Sequence, residues 1–416
     1  MSAQPNMLTV LRNRDFFCFQ ASAFITTLAA EILTVSMGWM IYAISHDAFD
    51  LALVGLVQFI PTLLLVMLTG SFADRFPRRR IILICMAVEF LCMLGIYLTD
   101  IEADTQLWQV LCLLAVLGAG RAFMTPAASA IAPSLVKREE IGAAIACSTA
   151  SWQLAAIAGP ALGGLLYGVS PSFAYGTALT MVAIGILTAL GIRHKEQPRI
   201  QEQRFLDTLL GGFHYMLKEK VVLGATTLDL FAVLLGSTVT LLPIYAQDIL
   251  VAGPWELGVL RAAIGVGALA MALYLGLYPI RRRAGHVMFA TVAIFGTATI
   301  AFGLSTSLIL SAAALAVMGA SDMISVYIRE VLIMLWTPDH LRGRVSAVNG
   351  VLINASNDLG GFRAGSSAKL FGPVAATVAG GICTLTVALV WLYLFPKLRQ
   401  ANDLSVVEEA TGPAGA

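Results

Sequence analysis

Charge is scarce in this chain. Of 416 residues only 12% are Asp, Glu, Lys or Arg, while 58% are hydrophobic. Soluble domains carry about a quarter charged residues, so a soluble globular fold is excluded before any motif is read. Histidine is scarcer still: all five fall in or beside expected loops, so imidazole is not placed to carry protons through an apolar interior. The six cysteines sit in or at the edge of apolar runs, with no CxxC pair. That argues against a zinc site or a disulfide framework and leaves small buried thiols. No GxxxxGK[ST] sequence occurs, so no ATP drive is expected within the chain. No nucleophile triad, metal cluster or nucleic-acid-binding pattern is readable. The chain is therefore not expected to be an enzyme, and no cofactor, metal or nucleic-acid partner is expected. Arg12 and Arg14 precede an apolar run that continues to Ile44, too long for the core of a signal peptide.

What is abundant is long apolar runs. A membrane span needs about 20 apolar residues, and twelve runs meet that measure: 16–44, 51–73, 81–99, 107–128, 141–169, 172–192, 221–250, 255–280, 287–304, 308–336, 345–371 and 374–395. The loops between them alternate in charge. One set carries Arg12 and Arg14, Arg75 and Arg78 to Arg80, Lys137 and Arg138, the basic residues of 193–220, Arg281 to Arg283, Arg342 and Arg344, and Lys397 and Arg399. The alternate set carries only acids: Asp47 and Asp50, then Asp100, Glu102 and Asp104, then Asp248 and Glu256. Basic loops stay in the cytoplasm, so both termini are expected inside a multi-pass inner-membrane protein.

The connection 193–220 divides the spans six and six. The expected domains are an N-terminal six-helix bundle over 1–192, a cytoplasmic linker over 193–220, a C-terminal six-helix bundle over 221–400 and a disordered cytoplasmic tail over 401–416. Part of the linker, near Arg204 to Tyr215, is expected to form an amphipathic helix on the inner leaflet. The halves echo each other at an offset of roughly 204 residues: Leu53-Val54-Gly55-Leu56 with Leu257-Gly258-Val259-Leu260, Arg78 to Arg80 with Arg281 to Arg283, and Leu166-Tyr167-Gly168 with Leu370-Phe371-Gly372. Parallel repeats of this kind occur in secondary transporters.

Three motifs carry further meaning. Between spans 2 and 3 lies Gly70-x-x-x-Asp74-Arg75-x-x-Arg78-Arg79. Gly70 is expected to end span 2, leaving a short charged loop over 70–80. Asp74 can sit by a helix N-terminus of the other half, and Arg75, Arg78 and Arg79 can bridge to acids or lipid phosphates. The bland alternative is that these arginines only set topology. Span 5 holds Gly159-Pro160-Ala161-Leu162-Gly163-Gly164. Pro160 removes a backbone donor and the glycines permit close helix approach, which fits either a flexing barrier or plain packing. Span 4 holds Arg121 after Gly118 and Gly120 and before Pro126.

These motifs resemble the major facilitator superfamily over essentially the full chain. The loop motif resembles that superfamily's signature between helices 2 and 3, with Pro77 where the family pattern has Gly. The span-5 motif resembles that of proton-coupled exporters, and Arg121 resembles the span-4 arginine of drug exporters. The run Arg342 to Asn349 resembles the branch containing the enterobactin exporter and macrolide efflux proteins. The resemblance implies an all-α membrane fold of twelve helices in two pseudo-symmetric six-helix bundles. It also implies that spans 1, 4, 7, 10 and 11 include those lining a central cavity.

Charges inside spans point to the site, because burying them costs several kcal/mol. Glu31 shares a face with Thr27, Thr34 and Gly38 in span 1; Asp229 shares one with Thr226, Gly236 and Thr240 in span 7. Asp322 and Arg329 are seven apart in span 10, and Asp358 shares a face with Asn354, Gly361 and Gly365 in span 11, with Arg363 to one side. The candidate proton and substrate cavity is thus Glu31, Arg121, Asp229, Asp322, Arg329 and Asp358. A lone carboxylate in such a cavity can load and release a proton, with Glu31 the first choice, then Asp229 and Asp322. Static ion pairing is the alternative for each. Glu89 and Arg261 are left open. The function expected is proton-coupled efflux of a small amphipathic compound, a drug or a siderophore, by a monomer in the lipid bilayer. Proton-coupled uptake and a non-transporting sensor or lipid-handling scaffold are the alternatives.

Overall fold

The structure, a computed structural model, describes residues 7–101, 106–193, 205–280 and 282–400. Every regular element among them is helical, as an apolar chain requires when bilayer offers no partner for backbone N–H and C=O groups. Before the linker come α1 (Met7–Leu11), α2 (Arg14–Ser45), α3 (Ala48–Arg75), α4 (Arg78–Ile101), α5 (Leu107–Ile131), α6 (Ile141–Val169) and α7 (Pro171–Leu190). After residues 194–204, which lie outside the described set, come α8 (Phe205–Lys218), α9 (Lys220–Gly236), α10 (Leu242–Ile244), α11 (Pro254–Leu277) and α12 (Ala284–Leu304). The last are α13 (Leu308–Trp336), α14 (Asp339–Phe371), α15 (Pro373–Leu394) and α16 (Pro396–Arg399). The expected tail over 401–416 also lies outside the described set.

Among the described residues, eleven helices are long and apolar enough to cross a membrane. The twelfth expected span, α14, has ample length at 33 residues, but Asn349, Asn354, Asn357, Asp358 and Arg363 punctuate it.

Two expectations about breaks are corrected. Gly70 does not end its helix: α3 runs on to Arg75, and only Phe76 and Pro77 separate it from α4. A glycine inside a helix costs only about 1 kcal/mol, whereas proline steers the residue before it out of helical geometry. Phe76 accordingly takes an extended backbone, φ −110° and ψ 150°. Span 7 is not one helix over 221–250 either. α9 stops at Gly236, and a 3₁₀ turn, α10 and a π-helical turn over Tyr245–Ile249 complete the passage. Pro243 cannot donate a helical hydrogen bond and crowds the carbonyl four residues back. Thr240 therefore leaves the face that Thr226, Asp229 and Gly236 share.

The chain forms two compact units. The first comprises Met1–Phe205 with Leu242–Ala262. In it α3 packs on α5, α2 on α6 and α7, and α4 on α5 and α7. Its helices begin at defined caps. The Asn13 side chain accepts from the amides of Asp15 and Phe16 and donates to the Leu135 carbonyl at 2.7 Å; Asp47 caps α3 and Ser170 caps α7. The returning segment joins through side chains: the Tyr42 hydroxyl donates to Asp248, and Gln247 Nε2 donates to the Trp39 carbonyl at 3.2 Å.

The second unit comprises Leu206–Leu241 and Ala263–Ala416. α12 packs between α13 and α15, and α9 against α13, α14 and α15. The linker does form an amphipathic helix, α8. Tyr215 donates to the Trp336 carbonyl, and Met216 is buried with Val222, Ile333, Val345 and Val348. Leu210, Phe213 and Leu217, at i, i+3 and i+7, are exposed.

Candidate functional site

In the second unit α9 supplies Asp229, while α13 presents Asp322, Ser325 and Arg329 at helical i, i+3, i+7 spacing. Arg329 forms an ion pair with Asp229 through Nη1. Ser325 Oγ donates to the other carboxylate oxygen of Asp229 at 3.2 Å. Arg329 is 1% exposed and Asp229 5% exposed, so the pair is held away from solvent. Asp322 lines the same crevice as Asp229, Ser321 and Ser325, within electrostatic range of both Asp229 and Arg329. The crevice measures about 10 Å³, at the lower edge of what one water occupies. Two carboxylates face one guanidinium here, leaving one net negative charge when both acids are ionised. One proton neutralises the group.

Further polar residues, Glu330 and Asn349, extend from Arg329, and these the sequence reading missed. Arg329 Nη2 lies 3.9 Å from Glu330, and Glu330 accepts from Asn349 Nδ2 of α14 at 2.9 Å. Arg329 Nε and Thr226 Oγ1 are buried without hydrogen-bond partners. Glu330 stood beside Arg329 in an apolar run, and that adjacency was the signal available. Arg363 also has a defined task. It donates to the carbonyls of Leu234 at 3.2 Å and Ser237 at 3.0 Å, so it serves the carbonyls that the end of α9 leaves unpaired, with the charge that a helix C-terminus favours.

In the first unit Glu31 is half-buried on α2. Gly159 of α6 lies directly against its Cβ, so any side chain at 159 would collide with it. Gly163 approaches the backbone of Ile32 in the same way, a Cβ there meeting Ile32 Cα at 3.0 Å. Gly164 faces Gly258 of α11, whose own Cβ would meet the Pro160 carbonyl at 2.7 Å. The span-5 motif is thus a seam of backbone contacts that holds α2 and the start of α11. Arg261, one turn beyond Gly258, interacts electrostatically with Glu31, which gives this open residue a place in the site.

Arg121 is exposed and donates through Nη1 to Gln58 Oε1 at 3.2 Å. It shares a small cavity with Glu89, which is 8% exposed. Of the loop motif, Arg78 donates to the Ala130 carbonyl at 3.0 Å and Arg79 to the Leu190 carbonyl at 2.8 Å. Both bonds end on carbonyls of the same unit. The side chains of Asp74 and Arg75 lie outside the described set. Asp229, Asp322 and Arg329 are therefore brought together, Glu31 gains Arg261, and Arg121 gains Gln58 and Glu89. Asp358 is half-buried on α14 and is not among the residues lining the Asp229 crevice.

Comparison with known proteins agrees with the helical architecture. The chain is 25% identical over 382 residues to the enterobactin exporter EntS of Shigella boydii serotype 18, covering 91% of each protein. The same figures hold for EntS of Escherichia coli O157:H7. Among solved structures it resembles the nucleoside transporter NupG, with TM-score 0.69 and 14% identity over 91% of this chain and 98% of that one. It also resembles a bacterial homologue of the human lysosomal transporter Spinster in an inward-facing, unoccupied conformation, with TM-score 0.71 and 13% identity over 94% and 96%. At those identities the likeness speaks to fold alone. The model of the transmembrane secretion effector family (MFS_3) matches residues 6–413. The chain accordingly belongs to that family of major facilitator superfamily transporters, in the branch that includes the enterobactin exporter.

Proposed function

We propose that the protein exports a small amphipathic compound in exchange for protons. The observation that carries this reading is the buried group of two carboxylates and one arginine at Asp229, Asp322 and Arg329. Left ionised, the group holds an uncompensated negative charge in an apolar unit; a proton removes it. Glu31, facing Arg261, is the corresponding switch of the first unit. Twelve helices in two six-helix bundles rock about a midplane cavity, with both termini cytoplasmic and the protein acting as a monomer. The stretch from Gly70 to Arg79 latches the cytoplasmic side, and the Gly159-to-Gly164 seam seals against leakage. Relatives named as exporters of enterobactin favour a siderophore as the first substrate to try.

Purified protein in acid-loaded proteoliposomes tests this with enterobactin and a macrolide as probes. Antiport predicts accumulation of a probe while protons leave, lost on collapse of the gradient. Asp322→Asn and Glu31→Gln are each expected to lower accumulation about tenfold or more, comparable to the loss of a catalytic proton carrier, with the protein still inserted. Accumulation only in vesicles with acid outside would make the protein an uptake symporter. Full activity of Glu31→Gln would remove that residue from the mechanism.

A further inference from the structure

At the arginine-rich end of the first unit, α3, α4 and α5 enclose a groove of about 640 Å³, within the range of small-molecule pockets, roughly 300–1,000 Å³. Its walls include Phe72 and Phe76 of the α3 end, Ile84 of α4, and Val116 and Phe123 of α5. Phe72 stacks on Phe76 with ring centroids 5.4 Å apart and meets Phe123 edge-on at 5.5 Å, so the aromatic wall is already assembled. Phe72, Phe76, Ile84 and Val116 are between 44% and 64% exposed, which leaves a broad apolar surface uncovered by protein.

Among the described residues, the charged residue lining the groove is Arg80. Its two neighbours are occupied, Arg78 on the Ala130 carbonyl and Arg79 on the Leu190 carbonyl. Among the described residues the side chain of the exposed Arg80 makes no hydrogen bond or ion pair; its amide donates to the Pro77 carbonyl at 2.9 Å. Arg80 stands in the first turn of α4, beside Arg78 and Arg79, while Ile84 and Val88 continue the groove along the helix. A long apolar slot with a guanidinium at its polar end matches a molecule with an alkyl chain and an anionic head. In a bilayer that molecule is at hand at high concentration.

We propose that this groove binds one anionic phospholipid, an acyl chain lying along Phe72, Phe123 and Val116 and the phosphate on Arg80. The groove shares Cys85, Val88 and Gly120 with the small cavity of Glu89 and Arg121 but is lined by neither of those charged residues, and its test reads lipid retention, not transport activity. A bound lipid would tie the α3–α4 turn to the leaflet surface, next to the stretch proposed as the cytoplasmic latch.

Native mass spectrometry of delipidated, detergent-purified protein with added dioleoylphosphatidylglycerol or dioleoylphosphatidylcholine tests the proposal. The wild-type protein should retain one phosphatidylglycerol in preference to phosphatidylcholine. Arg80→Gln should reduce that retention about fivefold, the usual effect of one basic residue at an anionic surface, and abolish the preference. Gly120→Leu should fill the groove. A Cβ at 120 meets only Val88 Cγ1, at 3.9 Å, so the backbone tolerates it, and retention of both lipids should fall. Equal retention of the two lipids by the wild type overturns the proposal. So does lipid retention unchanged in Gly120→Leu with an unaltered melting temperature, since binding would then be to a basic surface without the groove.

Discussion

Arg329 holds together the polar interior of the second unit. It is fully buried, pairs with Asp229 and lies near Glu330. Removing one partner of such a pair leaves a lone charge in an apolar setting, which costs about 3–5 kcal/mol. Arg329→Met is therefore expected to lower the melting temperature in detergent sharply, and the double variant Asp229→Asn/Arg329→Met to recover most of the loss. Equal losses in the two would count against the pair as the cause. Each of these charges was visible in the sequence as an anomaly within an apolar run. Which acid answers which arginine was not visible, because Asp229 and Arg329 stand 100 positions apart. The same holds for Arg261: its sequence neighbours are apolar, and only the packing of Gly258 on Pro160 and Gly164 brings it within range of Glu31.

At the scale of the element, α8 shows how one short helix serves two surroundings. One face is committed to protein through Gly212, Tyr215 and Met216; the other leaves Leu210, Phe213 and Leu217 exposed. The amphipathic period was legible in the sequence. The docking was not, because it depends on two glycines meeting Arg344 of α14. At 212 a Cβ would overlap the Arg344 carbonyl, so Gly212→Val should unseat the helix while leaving the spans intact. Hydrogen exchange over 205–218 should then quicken by at least tenfold, as the opening free energy falls by about 1.4 kcal/mol or more. Unchanged protection would mean that α8 is held by its own propensity and not by its seat. The break after α9 follows the same logic. The sequence was read as one span over 221–250, and the guanidinium that serves the freed carbonyls comes from Arg363, far along the chain.

For the whole molecule, alternation of basic and acidic loops is the strongest feature, and it predicts sidedness. In a cysteine-free background, Asp50→Cys should react with a membrane-impermeant maleimide added to intact cells, and Asn402→Cys only after the cells are opened. Labelling of Asn402→Cys in intact cells would reverse the proposed orientation. Membrane class, span positions and loop charge could all be read from single stretches of about 20 residues, because transfer into a bilayer is a sum over local side chains. The pairing of buried charges, the seam at Gly159 to Gly164 and the crevice at Asp322 came only with folding. They depend on distances between helices remote in sequence, and a buried charge can be tolerated in an apolar run only once such a partner has been brought beside it.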